Sequence, residues 1–138
     1  LGVTRDLQLS RALAGAEPPE MHMMRIGANF AFAVNKAPTV NSAELLQGSQ
    51  AAEVLDQLEA RYAPDIILFD MAPMLVADDT IGFLDQVDCA LLVAAAEHST
   101  LDEVSKCAAD LAARTNPLGV ILNKCRYRDT AESYGYGY

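Results

Sequence analysis

DIILFD, residues 65–70, places four consecutive apolar side chains between two aspartates. Such a run reads as a strand covered on both faces, because a half-solvated strand would alternate apolar with polar residues. Two further runs of the same kind follow, CALLVAAA at 89–96 and LGVIL at 118–122. Between them the sequence predicts a helix opened by Ser99 or Thr100, with Asp102 and Glu103 favourable near its positive end. Leu101, Val104, Ala108 and Leu111 form its expected core face, and Asn116-Pro117 closes it. Buried strand, helix and buried strand in succession predict an α/β domain with a doubly wound, mostly parallel sheet and flanking helices.

Upstream, residues 4–14 carry Leu7, Leu9, Ala12 and Leu13 and read as a short helix ended by Gly15, after which Glu17-Pro18-Pro19-Glu20 breaks the chain. Met21-His22-Met23-Met24 reads as a loop whose methionines plug gaps in the core, a metal site being the alternative. Asn29 to Asn35 reads as a strand, turned by Lys36-Ala37-Pro38. Asn41 is expected to cap a helix, with Glu44 reaching back to the cap's amide. Leu45, Ala52, Leu55, Leu58 and Tyr62 would form one buried stripe on that helix, and Ala63-Pro64 stops it.

The bulk properties narrow the function. Half of the 138 residues are hydrophobic, which suits a packed α/β protein and argues against disorder. The formal charge of −9 disfavours nucleic-acid partners, whose phosphates are held by Lys and Arg, and disfavours attraction to an anionic membrane surface. No apolar run approaches the roughly 20 residues needed to span a bilayer. The three cysteines, Cys89, Cys107 and Cys125, are widely spaced and form no CxxC or Cys/His pattern, so zinc is not expected and a reducing cytoplasm is the simplest compartment. The pattern at the start of the sequence is not that of a signal peptide, and none is expected. The chain begins at Leu1 in mid-pattern, which reads as a fragment without its N-terminal portion.

Ligands of open parallel sheets bind outside the carboxyl ends of the strands. Asp70, the Glu97-His98-Ser99-Thr100 loop and Asn123-Lys124 stand at those ends and are expected to converge. A carboxylate ending a buried strand is costly unless a cation or donor compensates it. In phosphate-loop nucleotide hydrolases an aspartate so placed helps hold Mg²⁺. The other reading of Asp70 is a cap on the next turn, with Pro73 three residues on. Asn123-Lys124 reads equally as a plain strand exit and Asp78-Asp79 as a helix N-cap, while His98 earns no catalytic role. The domain is expected to occupy 1–126, followed by a tail at 127–138 that holds Tyr127, Tyr134, Tyr136 and Tyr138 and ends SYGYGY. Tyr-Gly alternation at a terminus should be mobile, and mobile tyrosines cost little to bring into another molecule's active site.

Four segments, in order, give the sequence its resemblance: LQLSRALAG (7–15), SAELLQGSQAAEVLDQLEARY (42–62), DIILFDMAPMLVADD (65–79), and LGVILNK (118–124) followed by the tyrosine-rich end. Together the chain resembles the bacterial tyrosine autokinases of capsule and exopolysaccharide export, matching the C-terminal two-thirds or so of their catalytic domain. The resemblance implies a P-loop nucleotide-binding fold related to the partition and cell-division ATPases, with ATP and Mg²⁺ as cofactors. It makes Asp70 the Walker B carboxylate acting on Mg²⁺ through water, Pro73 the residue fixing its turn, and Asp79 the acidic residue near metal and phosphates. Asn123 would face the adenine. Tyr134, Tyr136 and Tyr138, with Tyr127 as a weaker candidate, would accept phosphate. The implied partners are further copies of the chain, phosphorylated in trans within a homo-oligomer, and a transmembrane polysaccharide co-polymerase that activates the kinase at the inner face of the plasma membrane.

The sequence also departs from the family. It contains no glycine-rich GKT/S loop and no second strand-borne Asp motif, the elements that supply the amide cradle and the phosphate-binding Lys. The chain alone is therefore expected to be inactive, since phosphoryl transfer depends on positioning and charge neutralisation. Met74 stands where the family usually has a second Pro. Two competing readings are a partition- or site-selection-type ATPase switch without tyrosine kinase activity, and a degenerate non-catalytic interaction domain.

Overall fold

A computed structural model describes residues 5–126 of the chain. It divides into two compact units, Leu1–Gln86 and Val87–Tyr138. Each is taken by itself.

The first unit opens with Leu7, fully buried, and the short helix α1 (Leu9–Leu13). Gly15 ends it in the left-handed region (φ 70), a conformation glycine adopts at no steric cost. A 3₁₀ turn over Pro19–His22 follows, and Met23 continues straight into β1 (Met23–Ile26). Residues 21–24 are thus not the expected loop. β1 pairs antiparallel with β2 (Phe30–Ala33) around a tight connection in which Gly27 has φ 66 and the Arg25 guanidinium donates to the carbonyls of Gly27 and Ala28.

The helix expected from Asn41 is two helices, α2 (Ser42–Gln47) and α3 (Ser49–Tyr62), separated by Gly48 in an extended conformation (φ −72, ψ 147). Asn41 takes left-handed backbone and makes no side-chain cap bond, so the expected capping box with Glu44 does not form. The composition of α3, rich in Ala, Glu, Leu and Gln, favours helix along its length, and Ala63 (φ 41) before Pro64 ends it. Leu13, Ala51 and Val54 form the buried cluster, with Leu9, Leu45, Leu46, Leu55 and Leu58 packed against it. Tyr62, expected in that stripe, is exposed.

Residues 65–70 are not a strand. An extended segment becomes one only when a neighbour takes up its N–H and C=O groups, and none of the described residues pairs with it. Ile66 and Leu68 are 77% and 90% exposed, and Phe69 is held edge-on against the buried ring of Phe83 at 4.9 Å. Helix α4 (Asp78–Phe83) follows, continued by a 3₁₀ turn over Leu84–Gln86.

The second unit is the strand–helix–strand the sequence predicts: β3 (Cys89–Ala95), α5 (Leu101–Ala112) and β4 (Asn116–Asn123), with the two strands parallel. Thr100 caps α5 in a full capping box with Glu103. Ala94, Cys107 and Leu111 are buried where the helix meets the strands, whereas Leu101, expected on the core face, is exposed. The strands are not covered on both faces: every residue of β4 is exposed, as are Leu91 and Val93 of β3. The observed architecture is mixed α/β with one parallel and one antiparallel pair of strands, where the sequence predicts a larger doubly wound sheet.

Candidate functional site

Asp70 is the exposed end of the extended segment, tethered through its neighbour Phe69 to Phe83. Its carboxylate has no hydrogen bond or ion pair among the described residues. Pro73 organises the turn that follows: its carbonyl accepts from the N–H groups of Val76 (2.9 Å) and Ala77 (3.2 Å). One residue before it, the carbonyl of Ala72 accepts from the buried Thr80 hydroxyl at 2.7 Å.

Asp79 lies in the first turn of α4, whose N-cap is Ala77, so neither Asp78 nor Asp79 is the helix cap that the sequence left open as a reading. One oxygen of Asp79, Oδ2, accepts instead from the hydroxyl of Ser42 at the start of α2. Asp70 and Pro73 thus lie on the loop that leads into the first turn of α4, where Asp79 sits, and the stretch is tied at Ala72, at Pro73 and at Asp79. Ser42 and Thr80 are the residues that sequence reasoning missed. Ser42 lies 37 residues from its partner and Thr80 8 residues from its own, and neither spacing belongs to a local motif.

In the second unit, Asn123 ends β4, and its backbone carbonyl accepts from the N–H of Ala96 at 2.9 Å. This pairing brings the Glu97–Thr100 loop beside Asn123-Lys124, the part of the expected convergence that lies within one unit. Glu97 and Lys124 both take left-handed backbone (φ 65 and φ 59), and the Asn123 side-chain oxygen accepts from the Lys124 N–H at 2.8 Å. The Asn123 carboxamide therefore keeps its two N–H donors for another group. Arg126 and Glu97 form an exposed ion pair at 3.5 Å, of the kind that contributes little to stability. His98 is exposed, with Nδ1 3.2 Å from the Ala96 carbonyl.

His22, from the Met-rich stretch, is buried with both ring nitrogens engaged. Nδ1 accepts from the Gln8 N–H at 3.1 Å, which leaves the proton on Nε2 to be donated to Glu17 at 2.8 Å. It is a structural histidine and not a metal ligand. No group of three or more His, Cys, Asp or Glu side chains placed to hold a metal occurs among the described residues. A groove of about 440 Å³ opens between the α1 end and α3, but none of the expected site residues lines it. Tyr127, Tyr134, Tyr136 and Tyr138 lie outside the described residues. No helix among the described residues is long and apolar enough to cross a membrane.

No protein-family model matches the chain. No curated protein matches it. Among solved structures, the chain is similar to the kinase domain of Escherichia coli tyrosine kinase ETK, with 30% sequence identity, a TM-score of 0.76, and coverage of 99% of this chain and 54% of that one. The fold is thus like that of a bacterial tyrosine kinase domain, and the chain spans about half the length of its structural neighbour.

Proposed function

We propose that the chain is the C-terminal part of the catalytic domain of an ATP-dependent protein-tyrosine autokinase. The observation that carries this reading is the likeness of 99% of the chain to the ETK kinase domain, together with an aspartate, Asp70, that has no partner among the described residues and stands three residues before the Pro73 turn. In this reading the chain belongs to a P-loop nucleotide-binding domain with a doubly wound sheet.

The donor set suits Mg²⁺ with ATP. Mg²⁺ is usually bound through one or two protein carboxylates, with phosphate oxygens and waters completing its shell. Asp70 and the second carboxylate oxygen of Asp79 suit that mode. When bound, Mg-ATP supplies the transferable phosphoryl group and neutralises the charge that develops on it. The chain's own residues would do the rest on one side of the site. In the first unit Asp70 would hold the metal through water, Pro73 would fix the turn after it and Asp79 would lie near the metal and phosphates; in the second unit Asn123 would offer its N–H donors to the adenine.

The acceptors would be Tyr134, Tyr136 and Tyr138, and to a lesser extent Tyr127, entering a neighbouring copy's site within a homo-oligomer. Each phosphate adds about −1.5 to −2 charges to a chain already at −9, which would loosen the assembly and could regulate polysaccharide polymerisation and export. A transmembrane co-polymerase would activate the kinase from the inner face of the plasma membrane. Because no GKT/S loop lies in these 138 residues, the chain alone should not transfer phosphate. The test is the full-length protein incubated with Mg-ATP and probed for phosphotyrosine. A signal that disappears when Tyr127, Tyr134, Tyr136 and Tyr138 are changed to Phe supports the tail assignment, and one that survives overturns it. ATP hydrolysis without any phosphotyrosine would favour a partition-type switch.

A further inference from the structure

The loop from Asp70 to Asp79 has no strand or helix of its own until α4 begins, and Asp70 stands exposed at its head. A carboxylate used in metal binding must nevertheless be held in place, because ligand orientation is set by the groups behind the ligand. Two hydroxyls are bonded to this loop. The Ser42 hydroxyl donates to Asp79 Oδ2, leaving the other carboxylate oxygen available. The Thr80 hydroxyl, buried, donates at 2.7 Å to the carbonyl of Ala72, between Asp70 and Pro73.

The helices behind these hydroxyls are themselves fastened together. Gln86 donates from its side chain to the Leu46 carbonyl at 2.5 Å, joining the end of α2 to the turn after α4. Gly82 of α4 lies against the Gln47 side chain. Asn41, in left-handed backbone, redirects the chain so that Ser42 enters as the first residue of α2. The result is a seam between α2 and α4 bearing two hydroxyls, one bonded to Asp79 and one to the segment that leads into α4.

We propose that Ser42 and Thr80 are positioning residues that hold Asp79 and the Asp70–Pro73 segment in the arrangement that takes a Mg²⁺–phosphate group. The proposal rests on the nucleotide-binding reading given above. It assigns the serine of SAELL a role that a helix-forming motif alone does not require. Ser42 acts on Asp79 directly. Thr80 acts on Asp70 only through the backbone at Ala72, so its loss should have the smaller effect on metal binding.

The test uses the full-length protein and reads binding of a fluorescent ATP analogue as Mg²⁺ is raised, alongside hydrogen exchange at the Val76 and Ala77 amides. Ser42→Ala should raise the Mg²⁺ concentration needed for half-maximal binding on the order of tenfold, the usual lower range for removing a group that orients a metal ligand. Ser42→Thr, which keeps the hydroxyl, should restore it. Thr80→Val should speed exchange at Val76 and Ala77, and Thr80→Ser should bring it back. Wild-type Mg²⁺ dependence in Ser42→Ala, or equal impairment in Ser42→Ala and Ser42→Thr, would overturn the proposal while leaving nucleotide binding intact. If the wild-type protein binds no Mg²⁺-nucleotide, the nucleotide reading falls and this proposal falls with it. Should Thr80→Val fail to fold, the Ser42 pair alone decides.

Discussion

Glu103 carries a clear pH signature in the second unit. The Thr100 backbone N–H first, and then its hydroxyl, hold the Glu103 carboxyl below the usual carboxylate range. Because folding lowers this pKa, the carboxylate's contribution is fully present above the ordinary value and is lost as pH falls through the folded one. Acidification below the usual carboxylate range should therefore fray the first turn of α5, seen as titration of the Thr100 and Glu103 amide resonances together. Glu103→Gln should abolish that common step. Cys107 shows the opposite case. Burial first, and the nearby Asp110 second, push its thiol pKa up, so it stays protonated and unreactive. Cys89 and Cys125 are exposed and free. An alkylating reagent at neutral pH should modify those two first and reach Cys107 only when denaturant opens α5. Labelling of Cys107 at the rate of the other two would contradict its placement.

Among the elements, α5 is held at its entry by one residue. Thr100→Ala removes the hydroxyl that accepts from the Glu103 N–H at 3.3 Å and should cost about 1 kcal/mol, measurable by urea unfolding. In the first unit the α1–α3 contact is apolar, so Leu13→Ala, which empties part of the Leu13–Ala51–Val54 cluster, should cost more, about 2–5 kcal/mol. These elements also show what the sequence makes legible. From Cys89 to Asn123, cap, apolar run and helix period all point the same way, and the strand–helix–strand unit appears almost where the pattern places it. Elsewhere the deciding interactions are not local. The apolar pattern of DIILFD records a demand for burial but not which neighbour meets it, so the strand reading fails although Asp70 still ends an extended segment. Gly48 splits a helix whose flanking residues all favour helix. Asp79 was legible as an acidic residue after a proline turn. Its tie to Ser42 was not, because the bond crosses 37 residues.

At the scale of the whole molecule, acidic charge and uncovered apolar surface oppose each other. The paired residues Val93 and Ile121 are 57% and 47% exposed, and Leu118 and Leu122 of β4 are more exposed still. Contiguous apolar surface of this kind favours association. A net charge of −9 resists it, but only across distances that salt does not screen, and the screening length is about 10 Å at 0.1 M. The 138-residue chain should therefore bind an apolar dye such as ANS, remain dispersed in low salt, and associate as salt is raised. Replacing Val93 and Ile121 together by Lys separates the two effects. The change brings the net charge two units closer to zero, so a charge-limited association should increase. If the exposed strand face drives association, the double variant should instead bind less dye and remain dispersed at higher salt than the parent. Light scattering across a salt series decides between them, and earlier association of the lysine variant would show that the β3–β4 face is not the adhesive surface.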